Sequence, residues 1–500
     1  MVFMRVQKYE KLFPFFRSSI LIIEIKGYFC NGVYGTIMKD TIINYFKDKK
    51  IIILGFGKEG GATYSFIRSY FPELHLTVAD GNEGLIVQEI EHDPHLTIIT
   101  GKHYADNLND YDVIMKSPGV SFAHLNYFIH PDKIHSQTSL FLEAFAKQTI
   151  GITGTKGKST TASLIYHILK QSSCDVLLCG NIGVPFFDVI PQIKPDTIVV
   201  AELSAHQLEF THASPHVAIF LNCFQEHLDH FESLSSYMLA KLNITAFQQE
   251  EDYLIYHADD LHISKMLLAH RIVRQFLPFS RETKLEDGAY SQGAHIMLMK
   301  QGVVQSDFVL GELANLPGQH NYYNVMSAIL ACKLFAIKEE AIYNALESYT
   351  GLAHRIELVG TFEGIKFYND SIATVPEATI AAVKAVKKVD TLIVGGFDRG
   401  IDYTILIDYL AEIEIKNILF TGPAGERILD EWTKSGKTLP RTCQVESDFS
   451  EMVKFAFLHT EKGKCCLLSP AASSYNQFKN FEERGRVFKD EIMKYAQSLQ

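Results

Sequence analysis

The sequence predicts an α/β protein of three domains: a Rossmann-like N-terminal domain, a central domain with a phosphate loop, and a Rossmann-like C-terminal domain. Three observations carry this expectation. Short β-branched apolar runs recur along the chain and end in Gly, Ser, Asn, Asp or Pro. That is the pattern of parallel strands buried on both faces, with functional loops at their carboxyl ends. Two glycine-rich motifs, GFGKEG at 55–60 and GTKGKST at 154–160, each follow such a run and precede a segment of helical character. The length of 500 residues also exceeds one ordinary domain. The expected boundaries are 38–136, 137–351 and 352–500, after an extension at 1–37.

Composition narrows the class. The 47% hydrophobic and 21% charged content is that of a globular chain. A net charge of −11 argues against a general nucleic-acid or anionic-membrane binder. The eight cysteines form no C-x-x-C pair, and Cys465 and Cys466 sit in the apolar run KCCLLS. Reduced thiols in a cytoplasmic protein are expected, without a disulfide framework or a zinc site. No uninterrupted apolar run reaches the roughly 18 residues of a membrane span. Nothing demands an oligomer, so a monomer is expected.

In residues 1–37, the apolar run LFPFFRSSILIIEI is broken by Arg17 and Glu24. It lacks the layout of a secretory signal. Met38 opens MKDTIINYFKDKKIIILGFG, which can begin a domain by itself. The run 51–60 then enters G-x-G-x-x-G through Gly55, Gly57 and Gly60, and a later strand, LHLTVAD, ends at Asp80. This is the layout of a first βαβ unit with an acid placed for a ribose or base. Dinucleotide binding, mononucleotide binding and a tight turn all remain open from these residues alone. Further strands are expected at 96–100 and 111–120, the second running into the loop Ser117-Pro118-Gly119.

The central unit opens near 137. TIGITGTKGKSTT at 149–161 reads as strand, phosphate-cradling loop and helix start. It is a G-T-x-G-K-[ST] variant, because Ile152 stands where the usual motif has its first glycine. Lys158 is placed to reach outer phosphates, and Ser159 to ligate Mg²⁺. Strands follow in 175–185, 197–210 and 216–231, then a helix carrying Lys241 and a strand in 252–260. Glu202 and His227 come after strands, where Mg²⁺ ligands or water-positioning groups sit. The plainer readings are a salt-bridged acid, a helix-cap histidine and, for Lys241, an ordinary helical lysine; Asp259 and Asp260 can simply start a helix. Residues 280–315 read as short alternating strands, and 316–335 as a loop followed by an amphipathic helix.

The third unit begins near Leu352 with two strands turning at Glu363-Gly364. TLIVGGFDRG, IKNILFTG and KCCLLSPAASS are further strands entering loops. Arg355 is a candidate phosphate contact. Asn369-Asp370-Ser371 follows a strand, and Thr374 precedes Pro376, which is placed to start a helix. Arg399 suits a carboxylate or a phosphate, and Ser473, Ser474 and Lys479 lie in a strand-end loop.

GTKGKST, GNIGVP, AELSAHQLE, NCFQEHLDH, LPGQHNYYN, AHRIE, NDSIAT and LSPAASSYNQFKNFEERG occur in this order. From about Lys39 to the C-terminus the chain resembles the ATP-dependent Mur ligases of peptidoglycan synthesis, most of all their glutamate-adding members. The resemblance implies that ATP activates the carboxylate of UDP-N-acetylmuramoyl-L-alanine as an acyl phosphate, which the amine of D-glutamate attacks. It implies ATP contacts at Gly154, Thr155, Lys156, Gly157, Lys158, Ser159, Thr160, His257, Asp260, Arg355 and Asp370. It implies Mg²⁺ ligation by Ser159, Glu202, His227 and Lys241, the last as a carbamate. Lys158, His227 and Lys241 would be the catalytic residues. Substrate contacts would be Asp80, Ser117, Gly119 and Asn181 for the nucleotide sugar, and Thr374, Arg399, Ser474 and Phe481 for glutamate.

Three positions depart from the family pattern: Ile372 replaces a lysine, Arg399 stands for a lysine, and Lys156 for asparagine. The first two fall at the amino-acid pocket, where guanidinium and ammonium differ in geometry, so addition of L-glutamate stays open. An NAD-dependent oxidoreductase would leave the phosphate loop unexplained. A folylpolyglutamate synthase would leave the first domain unexplained. A non-catalytic binding protein would not need Lys158, Glu202, His227 and Lys241 together. A chain beginning at Met38 is expected to retain full turnover; loss of activity on that truncation would show the extension to be essential.

Overall fold

The computed structural model describes residues 33–499, except 85–89, 91, 123, 124, 126, 232, 271–273, 311–315, 317 and 476. Most of the expected extension therefore lies outside the described residues. A helix, α1 (Val33–Phe46), runs across the expected boundary at Met38. Two compact units form. The first reaches Gly311 and adds His320–Glu347, and the second contains Ser348–Gln500.

The first unit holds two sheets. One is built from β1 (Ile51–Leu54), β2 (Leu76–Asp80), β3 (Leu96–Thr100), β4 (Val113–Lys116) and β5 (Ile134–His135), all parallel, in the order β3-β2-β1-β4-β5. The apolar run of β1 is fully buried because strands flank it on both sides. The strand order reverses between β1 and β4, and their carboxyl ends open the crevice such sheets use for ligands. Gly60 lies in α2 (Lys58–Tyr70), and a Cβ there would stand 2.1 Å from the Gly55 carbonyl oxygen. The third glycine of the motif thus lets the helix close onto the turn.

The other sheet contains β6 (Thr149–Thr153), β7 (Val176–Gly180), β8 (Ile198–Glu202), β9 (Val217–Phe220), β10 (Tyr253–His257), β11 (Gln275–Ser280), β12 (Gly288–Gln292), β13 (His295–Lys300) and β14 (Val303–Val309). Their order is β14-β13-β12-β11-β10-β9-β6-β8-β7. The strands from β6 to β12 pair in parallel, and the short alternating pieces β12, β13 and β14 pair antiparallel. Helix α3 (Gln137–Phe145) starts at a capping box on Ser136. Helix α4 (Lys158–Gln171) follows the phosphate loop, α5 (Leu234–Ala246) carries Lys241, and α6 is Asn321–Leu334. The amphipathic expectation for α6 needs correction. Asn321 and every residue from Asn324 to Cys332 are buried, because the helix packs against α4 on one side and β10, β11 and β12 on another.

The second unit contains β15 (Glu357–Phe362), β16 (Ile365–Asn369), β17 (Val389–Gly395), β18 (Asn417–Thr421), β19 (Thr442–Val445) and β20 (Cys465–Leu468), in the order β15-β16-β20-β17-β18-β19. β15 and β16 form the expected hairpin; its two turn residues, Glu363 and Gly364, have φ of 48° and 79°, as a tight hairpin turn requires. The rest of the sheet is parallel. Helix α7 (Pro376–Ala385) starts at the expected proline, and α8 (Phe481–Ser498) ends the chain. Among the described residues, no helix is long and apolar enough to cross a membrane, and the seven cysteines are free.

Gly60→Ala is expected to lower the thermal midpoint, by the ~1–3 kcal/mol of a forced overpacking. Gly61→Ala, at a helical site with nothing within 4 Å of the added methyl, should be neutral or raise it by up to about 1 kcal/mol. Thermal unfolding of the two variants side by side checks the pair.

Candidate active site

The phosphate loop is held from below by the loop after β9. Thr155 N–H donates to the Asn222 carbonyl at 3.0 Å. Lys156 N–H donates to Asn222 Oδ1, and Asn222 Nδ2 returns a bond to the Lys156 carbonyl, both at 2.9 Å. Thr155 Oγ1 accepts from Phe224 N–H at 3.1 Å, so its hydroxyl is a brace inside the protein. Gly157 has φ 89°, and a Cβ there would meet Asn324 Oδ1 at 2.5 Å, which fixes glycine at this turn. No side chain caps the first turn of α4, so its N–H groups are placed for an anion. The Lys156 side chain is exposed and pairs with Glu226. Thr160 is buried on the first turn of α4, beside Ser159.

Two lysines meet at this loop. Lys158 Nζ donates to the carbonyls of Gly154 and Thr155 at 2.9 and 3.1 Å. Lys241 Nζ, only 1% exposed, donates to the same Gly154 carbonyl at 2.9 Å and lies 4.7 Å from the Tyr237 ring centroid. Burial first, and then the Lys158 charge, depress the Lys241 ammonium to about 7. Glu202 is 1% exposed at the end of β8. Its Oε1 accepts from Asn181 Nδ2 at 2.8 Å, and its Oε2 is buried without a hydrogen-bond partner. His227 is half-exposed with φ 57°, its ring 4.9 Å from that of His206.

Asn181 also lines a cavity of about 500 Å³. The four residues expected at the nucleotide sugar, Asp80, Ser117, Gly119 and Asn181, all line it. The Asp80 carboxylate accepts from Phe56 N–H at 2.7 Å and Asn82 N–H at 2.8 Å, which ties β2 to the glycine loop. Ser117 Oγ donates to the Gly55 carbonyl at 2.7 Å. Farther along the sheet, the His257 ring stacks on Phe279 and lies 4.1 Å from the Tyr323 centroid. Asp260 caps the helix Leu261–Ala269 through its Oδ1, while its Oδ2 accepts from Cys223 N–H at 2.8 Å.

In the second unit, the predicted residues gather at the ends of β16, β17 and β20. Asp370 is 4% exposed; it accepts from Ser469 Oγ at 2.7 Å and Ile356 N–H at 3.1 Å, and burial raises its carboxyl to about 7. Arg355 Nε is buried without a hydrogen-bond partner. Arg399 Nη2 donates to the Thr374 carbonyl at 2.9 Å. Phe397 bridges to Ser473, beside the buried Ser474. Ser371 Oγ donates to the Phe481 carbonyl at 2.8 Å. The loops of Thr374, Arg399 and Ser474 and the start of α8 at Phe481 are thus bonded to one another.

Family models match residues 152–332 (Mur ligase middle domain) and 354–472 (Mur ligase, glutamate ligase domain). Curated relatives from Acetivibrio thermocellus and Bacillus thuringiensis, both named UDP-N-acetylmuramoylalanine–D-glutamate ligase, are 33% identical over 465 and 454 residues. The aligned regions cover 90% and 89% of this chain and 98% of each relative. The chain belongs to the Mur ligase family. Two solved Mur ligases from Thermotoga maritima share the fold. The UDP-N-acetylmuramate–alanine ligase has a TM-score of 0.54 at 19% identity, over 90% of this chain and 100% of that one. A MurF ligase in complex with ADP has a TM-score of 0.50 at 18% identity, over 77% and 90%.

As a Mur ligase the chain is an ATP-dependent ligase, and the orphaned Oε2 of Glu202 fits a bound cation. Among the described residues, no three His, Cys, Asp or Glu side chains form a metal cluster. The expected ligand set, Ser159, Glu202, His227 and Lys241, holds only two residues of those types. The sequence reading missed Arg484. It is 2% exposed on α8, and its guanidinium donates to Ser371 Oγ at 2.9 Å and to the carbonyls of Ser371, Ala472 and Ser473 at 2.8 to 3.1 Å. A basic residue amid the motif NFEERG was the only signal. Arg484→Lys cannot reproduce this fork and should lower the stability of the second unit by ~2–3 kcal/mol; denaturant unfolding of this Mur ligase variant measures it, and wild-type stability would contradict the bracing role.

Proposed function

We propose that this Mur ligase adds D-glutamate to UDP-N-acetylmuramoyl-L-alanine through an acyl phosphate, in peptidoglycan precursor synthesis. One observation carries the reading: Asn181 both lines the cavity and donates to Glu202, the carboxylate beside the phosphate loop. A substrate in the cavity can therefore present its far end to the phosphoryl donor. The names of the curated relatives support the same substrates.

The substrate carboxylate attacks the γ-phosphorus of ATP, and the bond to the ADP oxygen breaks. The free amine of glutamate then attacks the acyl carbon, loses a proton and expels phosphate, leaving an amide. The uncapped start of α4 and Lys158 would hold the polyphosphate and offset its charge. Ser159, Glu202, His227 and Lys241 as a carbamate would hold Mg²⁺, which when bound neutralises phosphate charge. The lowered pKa of Lys241 suits carbamate formation, because only the neutral amine attacks CO₂. Arg399 offers a planar fork for a glutamate carboxylate. His257 with Tyr323 offers an aromatic flank for a base.

An amino-acid screen with ATP and UDP-N-acetylmuramoyl-L-alanine tests the assignment. ADP release is expected with D-glutamate and not with L-glutamate. Equal turnover with L-glutamate would overturn the stereochemical assignment and favour Arg399 and Ile372 as its cause. Lys241→Ala should abolish turnover, with partial rescue by short carboxylic acids. At limiting CO₂, wild-type activity should fall as pH drops through about 7, since protonation of Lys241 removes the reactive amine. Activity independent of CO₂ at pH 6.5 would show that the carbamate is not used.

A further inference from the structure

The motif GGFDRG sets an acid beside the arginine that is offered to a substrate carboxylate. Asp398 directly precedes Arg399, in the glycine loop after β17. A free carboxylate at this position would compete for the guanidinium and repel an incoming anion.

The structure engages that acid elsewhere. Arg427, on the helix Gly422–Lys434, donates from Nε to Asp398 Oδ2 at 2.6 Å and from Nη2 to Asp398 Oδ1 at 2.9 Å. Gly400 N–H also donates to Oδ1, at 2.9 Å. Arg427 is itself seated firmly. Its Nη2 donates to the Ile401 carbonyl and its Nη1 to Glu431, both at 2.7 Å. Its guanidinium carbon lies 4.7 Å from the ring centroid of the fully buried Tyr403. The pair is the bidentate fork that arginine and carboxylate make best.

Arg399 is left in a different state. It is exposed, and among the described residues its guanidinium donates to the Thr374 carbonyl, which leaves further N–H donors for a ligand. Its loop is tied on both sides of it. Phe397 N–H donates to the Ser473 carbonyl at 2.9 Å, and Arg427 holds Asp398 and Ile401.

We infer that Arg427 is a positioning residue for the amino-acid substrate: it engages both oxygens of Asp398, keeps that carboxylate off Arg399, and leaves the Arg399 guanidinium to a carboxylate of the incoming amino acid. This rests on the assignment of Arg399 to glutamate above. Arg427 acts through Asp398 and Arg399, not by touching substrate.

Steady-state turnover of the full chain tests this, with ATP and nucleotide sugar saturating and with the glutamate enantiomer that the wild type uses varied. Arg427→Met should raise the KM for glutamate roughly tenfold, as expected for interference with one charged contact. The KM values for ATP and the nucleotide sugar should stay within about twofold of wild type. Adding Asp398→Asn removes the released charge, so the double variant should return the glutamate KM to within about threefold of wild type. Arg427→Lys cannot span both oxygens and should raise the glutamate KM about threefold, again relieved by Asp398→Asn; this second pair decides the matter if the methionine variant does not fold. A glutamate KM within twofold of wild type in Arg427→Met would overturn the inference. A double variant as weak as Arg427→Met, or weaker, would also overturn it, by showing a brace without a charge role. So would a common rise in all three KM values. A glutamate KM unchanged in Arg399→Met would instead defeat the assignment of Arg399 on which the inference rests.

Discussion

Lys158 and Lys241 donate to one acceptor, the Gly154 carbonyl. Two ammonium groups so close cannot both be comfortable in a buried site. Lys158 sits at the mouth of the loop; Lys241 is enclosed, so the strain of burial and repulsion falls on Lys241 and depresses it. The loop is pinned for this purpose. Asn222 and Thr155 fix its backbone to the strand on one side, and Asn324 closes on Gly157 from α6. Glu202 adds a buried carboxylate with one oxygen committed to Asn181 and one uncommitted. The result is a site where a polyanion and a cation would each satisfy groups that the protein leaves unsatisfied.

All three sheets use the same device. The glycine loop after β1 and the Ser117 loop after β4 flank the reversal in the first sheet. The phosphate loop follows the strand between β8 and β9 in the second. The Arg399 loop follows β17, next to the Ser473 loop after β20, in the third. Parallel strands leave their carboxyl ends and loops on one edge, and ligand chemistry collects there. Within the first unit this places the cavity and the phosphate loop on either side of Asn181.

Much of this was legible in the sequence because glycines and strand-end polar residues mark it. The β-branched runs gave the strands, and Glu363-Gly364 gave the hairpin. The four residues assigned to the nucleotide sugar line one cavity, although Asp80 and Asn181 are a hundred residues apart in sequence. What stayed hidden depends on packing. Taken alone, Lys241 is an ordinary helical lysine, and only the resemblance singled it out, because its burial comes from strands distant in sequence. The enclosure of α6 came from two layers that no local period reports. Arg484 reads as one more charge in a polar helix, and only the fold shows it bonded to two strand-end loops.

The proposed reaction requires the phosphate loop to deliver a phosphoryl group to a carboxylate. Transfer of ¹⁸O tests this most directly: the alanyl carboxylate of UDP-N-acetylmuramoyl-L-alanine is labelled, and the products of one turnover with ATP and D-glutamate are analysed by mass spectrometry. An acyl phosphate predicts one ¹⁸O in the inorganic phosphate and none in ADP. Phosphate without label, formed alongside the amide, would contradict it.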